Sequence, residues 1–301
     1  MNTARSSVVL EERRVSKLKN RAVLLITCPE DLDVISAVSN CLVYNKASIS
    51  QLDQHTTDPY EGMLFIRFEI ELDPNEKAVN QLKIDLQELA IKYNMNWKLK
   101  TDTEIKRMAV FVSKMDQHLL ELILRAQTKE IPVEIALVIS NHPDLKETVE
   151  YYGIPYYHIP ITPETKAEAE FKELQLLAEA EVDFIVLSRY MQILSPYFIL
   201  KYENRIINIH HSLLPAFIGA RPYDRAYERG VKFIGATAHY VTSDLDAGPI
   251  IHQDVHRVSH RHRAKDLKVI GSHVEKSVLA QAVTLHADDR VIVHENKTII
   301  F

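Results

Sequence analysis

Ile206-Ile207-Asn208-Ile209-His210-His211-Ser212-Leu213-Leu214-Pro215 is the stretch on which the fold reading turns. From Arg205 to Ile209 it reads as a short buried strand, and the polar run behind it reads as a loop. Asn208 and His210 alternate along an extended chain, so their side chains leave on the same face. Farther on, Asp244-Leu245-Asp246-Ala247-Gly248-Pro249 sets a carboxylate just before a Gly-Pro turn. An amide, an imidazole and a carboxylate meeting at one point suffice to polarise a carbonyl, hold an oxyanion and steer a water. In open α/β sheets such groups collect at the carboxyl ends of the strands.

Working outward, strand and helix patterns alternate on the N-terminal side of this stretch. A strand is expected over Arg107–Val112, a helix over Gln117–Thr128, and strands over Glu134–Ile139 and Tyr156–Ile159. A long helix follows over Thr165–Ala180, then a strand over Phe184–Leu187. This alternation means a mostly parallel sheet covered by helices on both faces, a Rossmann-like α/β architecture. A further helix is expected over Lys265–His286, with Leu267, Ile270, Val274, Val278, Leu279 and Ala282 on one face. Val291–Val293 and Thr298–Ile300 close the chain as a hairpin.

Two other strand ends invite reading. Val112-Ser113-Lys114-Met115-Asp116 contains no glycine, so it cannot form the amide nest that cradles a phosphate. Ser113 or Asp116 reads there as a helix cap. Tyr190-Met191-Gln192-Ile193-Leu194 reads two ways: Met191, Ile193 and Leu194 form an apolar slot whose free amides read a flat heterocycle, or they pack in the core. Ser195 then caps a helix opened by Pro196. His239, on a strand after Gly235-Ala236-Thr237, reads as a site residue or as a satisfied core histidine. His252, His256, His260 and His262 lack Cys or carboxylate partners at ligand spacing and read as surface histidines; no metal is expected.

Residues 20–101 carry a second, self-contained pattern. Arg21–Thr27 is an apolar strand, and Leu32–Tyr44 a helix by the spacing of Leu32, Ile35, Val38 and Leu42. Ala47–His55 is a looser strand, and Met63–Leu72 alternates Leu64, Ile66, Phe68 and Ile70 against Arg67, Glu69 and Glu71. A helix over Ala78–Tyr93 and a strand over Met95–Lys100 complete a ferredoxin-like βαββαβ unit. Residues 1–19 read as a polar extension, and Thr101–Lys106 as a polar junction.

The whole chain has 301 residues and a formal net charge of -5, enough length for two cores and no basic surface for nucleic acid. No apolar run approaches a membrane span, and the N-terminus has no signal core. The two cysteines, Cys28 and Cys41, suit a reducing cytoplasm better than a disulfide framework.

Two resemblances follow from the residues. The βαββαβ order and the segment CPEDLDVISAVSNCLVYNKASI resemble an ACT domain over residues 20–101. That likeness implies a dimerisation or regulatory module, a homo-oligomer, and an amino-acid effector at the loop before the first helix; Asp33 stands where the family usually has glycine. N-I-H-H-S-L-L-P-A-F, G-A-R-P-Y, G-A-T-A-H-Y-V and D-L-D-A-G-P-I-I are similar to the folate-dependent formyltransferase-fold enzymes over residues 105–301. The doubled histidine resembles the hydrolytic branch of that family, and the glycine-free loop after Val112 differs from the phosphate loop of the glycinamide ribonucleotide transferases.

This second resemblance implies hydrolysis of 10-formyltetrahydrofolate to tetrahydrofolate and formate, with folate as substrate, no cofactor and no metal. The formate would supply purine synthesis and balance one-carbon pools. Asn208, His210 and Asp246 match the catalytic amide, imidazole and carboxylate. Tyr190, Met191, Gln192, Ile193, Leu194, His211, Ser212, Gly219 and His239 are the implied substrate contacts. The expected mechanism has Asn208 and a protonated His210 donating to the oxyanion, with Asp246 raising the His210 pKa and directing water. The alternatives are formyl transfer to an amine, and a non-catalytic folate or amino-acid sensor.

Overall fold

The computed structural model describes residues 20–58, 61–72, 75–101, 105–115, 117–215 and 222–301. The expected N-terminal extension, Asp116 and Gly219 lie outside the described residues. The chain divides into two compact units, the second beginning at Ile105.

The first unit runs β1 (Asn20–Pro29), α1 (Val34–Tyr44), β2 (Ser48–Thr56), β3 (Met63–Leu72), α2 (Glu76–Tyr93) and β4 (Asn96–Thr101). This is the expected βαββαβ order. Its antiparallel sheet has the order β2-β3-β1-β4. The alternation along β3 buries Leu64, Ile66, Phe68 and Ile70 among Val38, Leu42, Leu82 and Leu86 of the two helices. Each such side chain contributes about 1.5–3 kcal/mol by leaving water. The opposite face of β3 departs from the simple polar expectation. Phe65 and Arg67 are buried there too, and the Arg67 guanidinium donates to Glu69 at 2.7 Å. Helix α2 is capped by Asn75, whose side chain accepts from the Lys77 amide at 3.0 Å, and it stops at left-handed Asn94.

The second unit runs β5 (Lys106–Val112), α3 (Gln117–Gln127), β6 (Val133–Ser140), α4 (Lys146–Tyr151), β7 (Tyr156–His158) and α5 (Lys166–Glu179). It continues with β8 (Phe184–Ser188), α6 (Pro196–Lys201), β9 (Ile206–His210), α7 (Pro222–Arg229), β10 (Phe233–Tyr240) and β11 (Ile250–Arg257). Helix α8 (Ala264–Ala287) and the hairpin β12 (Val291–His294) and β13 (Lys297–Ile300) end the chain. The short helices α4 and α7 were not legible in the sequence, because six and eight residues show too little of a 3.6-residue period.

The large sheet has the order β11-β10-β9-β8-β5-β6-β7, parallel from β9 to β7 and antiparallel at β10 and β11. From β5 the chain steps outward through β6 and β7, then returns to the other side of β5 with β8 and β9. That reversal is the topological switch point, where such sheets bind ligands. One face packs Val110, Val186 and Ile207 against Val274, Val278 and Leu279 of α8. The other packs Phe111, Ile185 and Leu187 with Leu177 of α5. Among the described residues no helix is long and apolar enough to cross a membrane.

Candidate active site

Strands β9 and β10 pair with His239 directly opposite Asn208 and Thr237 opposite His210. That register places Asn208, His210 and His239 on one face of the sheet. The Asn208 Nδ2 and His239 Nε2 atoms are 3.2 Å apart, and His239 Nδ1 lies 2.9 Å from the Tyr240 carbonyl oxygen. A carbonyl only accepts, so Nδ1 carries the His239 proton and Nε2 accepts from the Asn208 amide.

Asp246 enters from the loop after β10. Its Oδ2 lies 3.2 Å from His210 Nδ1, and its Oδ1 lies 3.7 Å from His239 Nε2. Asp246 adopts a left-handed backbone, φ 55°, which aspartate tolerates better than most residues. The Gly-Pro that follows is a packing requirement. A Cβ on Gly248 would lie 1.9 Å from the Tyr240 carbonyl oxygen, while the Tyr240 amide donates to the Pro249 carbonyl at 2.9 Å.

Asp246 is held below the usual carboxylate range, first by His239 and then by His210, against the opposing effect of burial. The expected rise in the His210 pKa is not what the structure gives. Burial lowers it, with His239 adding to the effect, and Asp246 only partly compensates. The resting imidazole is neutral. Its Nδ1 lies 3.2 Å from the ionised Asp246 carboxylate, which only accepts. The proton therefore sits on Nδ1, directed at Asp246.

These groups stand at one side of a pocket of about 610 Å³ that opens at the carboxyl ends of β5, β8 and β9. Met191 and Ile193 are 72% and 64% exposed at its mouth, whereas Tyr190 and Leu194 are buried. Met191 and Ile193 thus stand open at the pocket while Leu194 packs inward. Gln192 also lines the pocket. The Met191 amide is not free as expected, since it donates to Ser113 Oγ at 3.3 Å. Ser113 in turn donates to Asn141 at 2.8 Å, so it is no helix cap. Ser195 does cap α6, accepting from the Phe198 amide at 3.2 Å.

His211 lies just past the end of β9, where strand alternation no longer applies. It lines the pocket, and its ring stacks on that of His210, 5.0 Å away and 10° from parallel. Ser212 is buried away from the large pocket, and its carbonyl accepts from Thr237 at 2.8 Å. Among the described residues no group of three or more His, Cys, Asp or Glu could hold a metal ion.

The sequence reading missed a set of buried ionisable residues behind the pocket. Glu275 of α8 is 1% exposed and takes three hydrogen bonds from Arg189, at 2.6, 2.8 and 3.1 Å. Tyr223 donates to it at 2.6 Å, and His118 Nε2 lies 3.2 Å away. Burial alone would raise the Glu275 pKa, but His118, Arg189 and Tyr223 outweigh it and hold the carboxyl at about 2. On α5, Glu173 accepts from the Tyr190 hydroxyl at 2.9 Å and Glu170 from the Ser195 amide at 2.9 Å. A signal for them existed: Glu170 and Glu173 share the buried stripe of α5 with Leu177, and Glu275 sits beside Val274 and Val278 in that of α8.

Residues 106–283 match the formyl transferase family model. The chain belongs to that family. The formyltetrahydrofolate deformylase of Bacillus subtilis is 51% identical over 283 residues, 94% of either chain. A crystal structure of a formyltetrahydrofolate deformylase from Pseudomonas syringae pv. tomato is 40% identical with a TM-score of 0.90, covering 98% of this chain and 99% of that one. Within the family, the chain belongs with the formyltetrahydrofolate deformylases. The glycinamide ribonucleotide transformylase 1 of Symbiobacterium toebii is 28% identical with a TM-score of 0.62, and covers 68% of this chain and 98% of its own.

Proposed function

We propose that the protein hydrolyses 10-formyltetrahydrofolate to tetrahydrofolate and formate, with Asn208, His210 and Asp246 at the reacting carbon. The observation that carries this reading is the ionised Asp246 in contact with a neutral His210 on the wall of the pocket. The planar substrate lies against Met191 and Ile193, with its formyl group over Asn208. Asp246 orients a water whose oxygen attacks the formyl carbon. The Asp246–His210 pair takes the water's proton as the tetrahedral oxyanion forms. One Asn208 N–H is given to His239; the other is free to meet the oxyanion, a contact worth ~3 kcal/mol. The C–N bond then breaks, and the pair returns its proton to the folate nitrogen. His210 is thus charged during the reaction rather than before it, and its cationic form appears when the oxyanion needs it.

Transfer to an amine is the second reading. It finds less support, since the loop after β5 lacks glycine and its Ser113 hydroxyl is committed to Asn141 and the Met191 amide. The test supplies 10-formyltetrahydrofolate, a chelator and no amine. Formate should be released at full rate, and added glycinamide ribonucleotide should be neither formylated nor stimulatory. Formate loss that required an amine would overturn the assignment.

The first unit is read as an assembly module. Its edge strand β2 exposes Ile49 and Leu52, and a homo-oligomer built through this unit is the expected solution state. Assembly is favoured over amino-acid capture because Asp33 stands where glycine would admit a ligand, and its amide is already bound by Asp31 at 2.9 Å. Both cysteines are free, and burial pushes the Cys28 thiol up to about 11, as suits a reducing cytoplasm. The formate released would supply purine synthesis.

A further inference from the structure

The substrate-lining segment from Arg189 to Ser195 is held at both ends by buried carboxylates from two helices on opposite faces of the sheet. Arg189 has a left-handed backbone, φ 55°, with neither the short polar side chain of aspartate nor the missing Cβ of glycine to ease it. Its guanidinium turns to the α8 face and is gripped in a fork by Glu275. The next residue, Tyr190, turns to the α5 face, packs edge-on against Phe111 at 5.2 Å and donates to Glu173 at 2.9 Å. The far end is fixed by Glu170, which takes the Ser195 amide at 2.9 Å. Between these ties, Met191, Gln192 and Ile193 line the pocket.

Buried carboxylates are costly, and apolar residues of the same size would serve packing at least as well. Glu173 is fully buried, and the carboxylate of Glu170 lies one helical turn away on the same stripe. A core that needed only stability would not place two acids side by side. The placement makes sense if geometry is what they supply, since each meets a group of the Arg189–Ser195 segment.

We propose that Glu170, Glu173 and Glu275 are positioning residues that set the shape of the Arg189–Ser195 segment, and so determine how tightly the folate substrate is held. This rests on the reading that the segment binds folate. The groups facing Glu173 are Tyr190 and Glu170. Those facing Glu275 are Arg189, His118 and Tyr223, with His210 and His211 within electrostatic range. Glu170 and Glu173 touch none of the groups at the reacting carbon, so their loss should act on substrate binding rather than on bond breaking.

The test uses the full chain and steady-state kinetics with 10-formyltetrahydrofolate. Glu173→Met and Glu170→Met keep side-chain volume but remove the acceptors. They should raise KM by about tenfold with kcat within about threefold, as expected when a binding geometry is lost. Glu173→Gln and Glu170→Gln retain an acceptor oxygen and should return KM to within about threefold of wild type. Tyr190→Phe should match Glu173→Met, and the double variant should be no worse than either single one. KM unchanged in folded Met variants, or Gln variants as impaired as the Met ones, would overturn the proposal. Glu275 is left out of this set because removing it strands Arg189. Absence of formate release by the wild type would instead overturn the folate reading itself.

Discussion

The two units bury their side chains by different rules. In the first, the β3 residues and both helices meet in a core of aliphatic and aromatic groups, and Arg67 is its buried ion among the described residues. In the second, Glu170, Glu173, His210, His239 and Glu275 all lie under the surface, each below a tenth exposed. Polar burial costs free energy, so it persists where a direction matters more than a volume. The first unit is built to be a stable body; the second gives up stability to aim groups at a pocket.

The largest effect that would sharpen this contrast lies in the first unit. Phe68→Ala removes a fully buried ring from β3 and should cost about 3–5 kcal/mol of stability. Formate release per folded molecule should stay at the wild-type level. Denaturation followed beside turnover checks both, and a kcat that fell with the ring would break the division of labour.

Next in size is a pH effect in the second unit. Burial, with the charge of Glu170 adding and the Tyr190 hydrogen bond opposing, raises the Glu173 carboxyl to about 7. A raised carboxyl pKa means that the folded state keeps a proton the unfolded state has released. Stability is then fully present below the unfolded value and is lost as pH rises toward 7, by about 3 kcal/mol for a shift of this size. Glu173→Gln has no such proton to lose. Its stability relative to wild type should therefore grow across that window, as read by denaturant melts at several pH values. Parallel curves for the two proteins would show that Glu173 is not held protonated.

Asp246→Asn tests a smaller free energy with a more specific readout. It should cut kcat by roughly a hundredfold or more, because the amide cannot accept the water's proton, while KM and the melting temperature stay close to wild type. A large loss of stability would place Asp246 with the structural residues instead.

Much of this was legible in the sequence, and the reasons are physical. The βαββαβ order and the parallel sheet showed because their elements are long enough for hydrophobic period to appear. Asn208, His210 and Asp246 showed because a strand end and a Gly-Pro turn announce where they point. The direction of the His210 shift did not show: a neighbouring carboxylate is visible in the sequence, but the burial that outweighs it is a property of the packed sheet. Arg189, Glu173 and Glu275 were hidden for a related reason. They lie far along the chain from the residues they meet, although a glutamate on an apolar helical stripe is a warning that can be read. His239 was left between two roles until the β9–β10 register set it opposite Asn208.

The central claim is that water, held by Asp246, is the nucleophile at the formyl carbon. The direct measurement is a single turnover of 10-formyltetrahydrofolate in ¹⁸O-labelled water without amine, with mass analysis of the formate. The account predicts one solvent oxygen in each formate from the wild type, and the same single label appearing far more slowly with Asp246→Asn. Formate free of solvent oxygen, or wild-type rates from the variant, would contradict it.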